Sequence, residues 1–65
     1  MGFSVLMSVY KGERPEYLEK ALLSVVNQTM QPAEIVLVED GKLTEELYQV
    51  IDEIQAKYSI LKPYA

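Results

Sequence analysis

A chain of 65 residues holds at most one small domain. It has no cysteine and no histidine, which excludes disulfide staples, thiolate metal sites and the commonest general base. The formal net charge is −4 and the six basic residues are scattered, so no cluster tracks a phosphate backbone and no nucleic-acid partner is expected.

The hydrophobic share of 49% and charged share of 25% are ordinary for a globular protein and argue against disorder. A chain of this size buries only about 60% of the surface it exposes when unfolded, so it needs an unusually good core or a partner. No apolar run is long enough to cross a bilayer, and the start lacks the basic-then-apolar layout of a signal peptide. The cytoplasm is the expected compartment.

Phe3 to Tyr10 is mostly apolar and stops at Lys11-Gly12, which predicts a first strand. Lys11 to Arg14 reads as a loop. Pro15 suits the first position of a helix, where its missing N–H costs nothing. Leu18, Ala21, Leu22, Val25 and Val26 recur at three- and four-residue spacing and give that helix one apolar face. Glu16 and Lys20 stand four apart, in the favourable order, on its outer side. The helix is predicted to end near Asn27 or Gln28, before the connection containing Pro32.

Ile35-Val36-Leu37-Val38 then runs without polar alternation, as in a parallel strand buried on both faces. Glu39, Asp40 and Gly41 follow. Acids at the end of such a strand lie where open α/β sheets place their ligands, and glycine permits a tight turn away. Thr44 is placed to cap a second helix, along which Leu47, Val50, Ile51, Ile54 and Tyr58 keep helical spacing. Ser59 to Lys62 is predicted as a short third strand that Pro63 keeps from extending far. The pattern is β-α-β-α-β, an α/β fold with a parallel sheet and right-handed crossovers.

Three features could carry chemistry. The carboxylates of Glu39 and Asp40 accept hydrogen bonds and suit a ligand that presents N–H or O–H donors, or a metal. Equally, an acid before glycine caps its own backbone in many turns. Tyr10, ending the first strand, shares a sheet edge with Asp40 if the two strands are neighbours, and its ring could stack on a flat ligand. It could also lie in the core with its hydroxyl in water. The Lys11–Arg14 loop opens a helix, a place that can hold phosphate, but one glycine makes neither a P-loop nor a dinucleotide fingerprint. Tyr17, Tyr48 and Tyr58 are assigned to packing or surface. No catalytic residue is visible, because no histidine is available to activate a serine.

The segments from Phe3 to Glu13, from Tyr17 to Thr29 and from Glu34 to Gly41 together resemble the start of family 2 glycosyltransferases, inverting enzymes of the GT-A fold. The resemblance covers most of residues 3–53, with the elements in the family's order. It implies the Rossmann-like β-α-β-α-β half of that fold, with parallel strands in the order three-two-one. It implies that residues 1–65 are the N-terminal, incomplete nucleotide-sugar-binding part of a transferase domain.

By the same resemblance, Asp40 accepts the N3–H of a uracil-like base, Tyr10 lies against that base, and Ser8 and Glu39 stand beside them. Gln28 and Thr29 match a Gln-Thr that ends the first helix and looks structural. Lys11 stands where the family usually has Asn, Glu39 where it usually has Asp, and Lys42-Leu43-Thr44 replaces a Ser-Thr-Asp-like segment. The family's Asp-x-Asp and its later catalytic carboxylate have no counterpart here. A divalent metal, Mg or Mn, is therefore expected in the intact enzyme with its ligands outside this chain.

The implied partners are a nucleotide-diphosphate sugar, with UDP-sugar as the donor, and an acceptor glycan or lipid-linked sugar. The implied location is cytoplasmic, peripheral to the inner membrane. The alternative is a non-enzymatic, receiver-like α/β module whose acids take a phosphoryl group. Receivers, however, carry their acids after the first strand and need a further aspartate and a lysine that are absent.

With that strand order and right-handed crossovers, both helices fall on one face of the sheet. Alternation then sets Ile35 and Leu37 on one side and Val36 and Val38 on the other, with Val5, Met7 and Val9 opposed to Leu6. The uncovered face, or the open edge of the first strand, is expected to support self-association.

Overall fold

The computed structural model describes residues 2–65; Met1, the first residue of the expected unit, lies outside them. The elements run β1 (Ser4–Tyr10), α1 (Pro15–Val26), β2 (Glu34–Asp40), α2 (Glu45–Lys57) and β3 (Leu61–Tyr64). All three strands are parallel, in the order β1-β2-β3, so β2 is central.

Each helix starts where its local chemistry directs. Pro15 opens α1, and the Arg14 carbonyl accepts from the Tyr17 and Leu18 amides at 3.1 and 3.0 Å. The Arg14 guanidinium lies 5.5 Å from the centre of the Tyr17 ring, within cation–π range. At the other end, the Gln31 side-chain amide donates to the Val26 carbonyl at 2.8 Å. This cap satisfies a carbonyl that the helix ladder cannot. Gln28 and Thr29 are exposed in the turn just beyond.

Thr44 caps α2 as its sequence position predicts, its Oγ1 accepting from the Leu47 amide at 3.3 Å. Thr44→Ala in the full-length protein is expected to cost about 1 kcal/mol of stability. Chemical denaturation would measure it, and an unchanged midpoint would mean that the long hydrogen bond contributes nothing.

The core lies between the helices and one face of the sheet. Leu18, Leu22 and Val26 of α1 meet Leu47, Ile51 and Ile54 of α2 over Val9, Ile35, Leu37 and Leu61. Every one of these is buried. Among the described residues, no helix covers the opposite face. There Leu6 pairs with Val36, and Ser8 with Val38 and through it with Tyr64. Leu6 is 76% exposed and Val38 38%. The apolar residues that alternation assigned to the second side of β1 and β2 are therefore left bare.

One prediction is corrected. The third strand occupies Leu61–Tyr64, not residues 59–62, and Pro63 sits within it. The Ile35 amide donates to the Ile60 carbonyl at 2.8 Å. In the alternating pattern of a parallel pair, that bond turns the backbones of Lys62 and Tyr64 toward β2, and those of Leu61 and Pro63 off the edge. The missing N–H of Pro63 thus faces away from β2, where no partner strand stands among the described residues, which is where an edge strand tolerates proline.

Candidate functional site

The carboxyl ends of β1 and β2 form an open shelf, and the described residues enclose no cavity there or elsewhere. Tyr10 and Asp40 are direct register partners across the two strands. Alternation puts their side chains, with Ser8, on the bare face of the sheet, and all three are exposed. Glu39 is separated from them. It pairs with Val9, a core residue, and is half-buried on the helix side. Adjacent residues of a strand point to opposite faces, so the acidic pair presents one carboxylate to each side.

The loop after β1 is shaped around Tyr10. Its carbonyl accepts from the Glu13 amide at 3.0 Å, closing a turn over Lys11 and Gly12. A Cβ at residue 12 would stand 2.5 Å from Tyr10 Cε2, so glycine leaves the space against which the ring lies. The ring is nonetheless 55% exposed, outside the core.

The loop after β2 is just as restrained. Gly41 takes φ 82°, a left-handed conformation that glycine adopts without strain, and its amide bonds the Glu39 carbonyl at 3.1 Å. Leu43 drops into the core, and its amide donates to the Tyr48 hydroxyl at 3.1 Å. The sequence assigns Tyr48 to packing or surface and leaves Leu43 in a loop. The apolar side chain at position 43, one residue before a helix cap, was the available signal.

Chemically, this edge offers a free carboxylate acceptor beside an exposed aromatic ring. It suits a flat ligand with N–H donors in its plane. Among the described residues, no three His, Cys, Asp or Glu side chains come together as a metal site. No helix among them is long and apolar enough to cross a membrane.

Comparison with known proteins identifies relatives of this chain. The chain is 46% identical over 50 residues to the UDP-Gal:alpha-D-GlcNAc-diphosphoundecaprenol beta-1,3-galactosyltransferase of Escherichia coli, covering 77% of this chain and 18% of that protein. It is 49% identical over 57 residues to an uncharacterized glycosyltransferase of Haemophilus influenzae, covering 88% and 21%. It is 52% identical over 48 residues to the amylovoran biosynthesis glycosyltransferase AmsE of Erwinia amylovora, covering 74% and 18%. The chain thus spans about a fifth of the length of the curated relatives it matches. No solved structure gives a significant match. The profile described as Glycosyl transferase family 2 matches residues 4–64, from the first residue of β1 to the last of β3, and the chain belongs to that family.

Proposed function

We propose that this chain is the nucleotide-binding start of an enzyme that transfers a sugar from a UDP-sugar to an acceptor hydroxyl with inversion. The observation that carries the reading is the pairing of Tyr10 with Asp40 at the carboxyl edge of the sheet, both exposed on one face. In open α/β sheets that edge is where ligands bind. An ionised carboxylate there accepts the N3–H of uracil, and the tyrosine ring gives the base a flat surface. Ser8, one pleat back on the same face, borders the base, and Glu39 supports the edge from the helix side.

In the whole enzyme the acceptor hydroxyl forms its bond to the anomeric carbon as the nucleoside diphosphate leaves from the opposite side. Residues 1–65 contribute donor recognition and no bond making. A divalent metal is expected with the diphosphate, with its ligands outside this chain; among the described residues no group of three or more His, Cys, Asp and Glu comes together. The lipid-linked substrate named for the Escherichia coli relative supports an acceptor of that class, and with it a cytoplasmic enzyme held peripherally at the inner membrane.

Calorimetric titration of the full-length protein with UDP tests the reading. Tyr10→Leu should weaken UDP binding by about 1–3 kcal/mol, the range for aromatic–base stacking, while the melting temperature stays near that of the wild type. A large loss of stability with unchanged UDP affinity would return Tyr10 to a structural role.

A further inference from the structure

Three residues, Gly41 to Leu43, separate Asp40 at the end of β2 from the α2 cap at Thr44. The chain must leave β2, turn, and enter α2 at Thr44. One end of this passage is held by the pairing of Asp40 with Tyr10. The other is held by the Thr44 cap and by Leu47, Ile51 and Ile54, which bury α2 in the core. Between them, Gly41 and Lys42 are exposed and Leu43 is 5% exposed. The Leu43 side chain anchors the passage by burial, and its amide is held by the Tyr48 hydroxyl at 3.1 Å.

Tyr48 stands in the first half of α2, half-buried at the rim of the core. Its ring packs as a phenylalanine would. Only its hydroxyl reaches back across the helix start to the loop, as the acceptor for an amide directed toward the core. This bond is one of three restraints on residues 41–43, with the burial of the Leu43 side chain and the bond from the Gly41 amide to the Glu39 carbonyl.

We infer that Tyr48 is a positioning residue for base recognition. Its phenol oxygen holds the Leu43 amide, fixes the Gly41–Leu43 turn, and so sets where the Asp40 carboxylate stands against Tyr10. The inference rests on the reading of Asp40 as the acceptor for a base N–H. A carboxylate held in one place discriminates uracil, whose N3 carries a proton, from cytosine, whose N3 is an acceptor. A carboxylate on a loosened turn discriminates less.

The test is Tyr48→Phe in the full-length protein, with three readouts. Hydrogen exchange at the Leu43 amide should accelerate. Affinity for UDP should fall severalfold, up to roughly fivefold if all of one net hydrogen bond is coupled to binding. The preference for UDP over CDP should narrow, while the melting temperature shifts little. The preference is decisive, because a merely structural role would leave the ratio of the two affinities unchanged. Faster exchange at Leu43 with the preference intact would overturn the inference and leave the base-recognition reading standing. Unchanged exchange at Leu43 would overturn the clamp itself. A wild-type protein with no preference for UDP over CDP would remove the underlying reading, and the inference with it.

Discussion

Asp40→Ala in the full-length protein is expected to weaken UDP binding by about 1.5–3 kcal/mol, roughly ten- to hundredfold, with little change in melting temperature. The size of the loss follows from the chemistry of the contact. A charged acceptor that takes a hydrogen bond from a ligand contributes more than a neutral one. The small effect on stability follows from the structure. Asp40 is exposed at the last position of β2, and the core beneath is made by Ile35 and Leu37. Asp40→Asn sharpens the experiment. The amide keeps the shape of the carboxylate and one acceptor oxygen but loses the charge, so affinity should fall and the preference over CDP should shrink. Calorimetry with UDP and CDP gives both quantities, and equal affinities for wild type and alanine variant would sink the assignment.

A second large effect is expected from the bare sheet face. The 65-residue chain alone should associate with a second copy of itself. Leu6 and Val38, with half-buried Val36, form one apolar patch, and covering a branched side chain is worth about 1.5–3 kcal/mol. Two or three such side chains are comparable with the whole stability of so small a domain. The two sheet edges are also unequal. β3 is four residues long and carries Lys62 and Pro63, features that blunt an edge. β1 is seven residues long, with neither charge nor proline. Its outer side is the natural place for another strand to add.

Sedimentation should therefore show association that grows with concentration. Leu6→Lys combined with Val38→Lys should shift the population toward monomer, since both side chains lie outside the core. A wild-type chain that stays monomeric, with a rigid near-ultraviolet circular dichroism signal and a cooperative melt, would refute the expectation.

Much of the fold was legible locally. Pro15 and Thr44 mark the helix starts because each acts on backbone groups within one turn of itself. The alternation of β1 and β2 foretold which residues would be buried and which bare, because a strand has only two faces. The third strand was misplaced by two residues. Pro63 is a local signal against extension, whereas the register comes from pairing with β2. Proline is harmless once its nitrogen faces away from β2. The Gln31 cap was missed because it joins residues five apart across a turn whose path the sequence does not specify.

At the candidate site, Tyr10 and Asp40 could each be picked out as the end of a strand. By itself the sequence determined those strand ends, the helix starts, the apolar stripes and membership of glycosyl transferase family 2, because all of these are properties of short stretches read in order. Tertiary structure alone decided that Tyr10 and Asp40 are direct partners, that Glu39 turns to the helix side, and that Tyr48 reaches the Leu43 amide. Each of those depends on the register between strands or on how α2 settles against the loop. Register and helix placement are set by the burial of Val9, Leu37, Leu43 and Leu47 in one shared core, which no single segment contains.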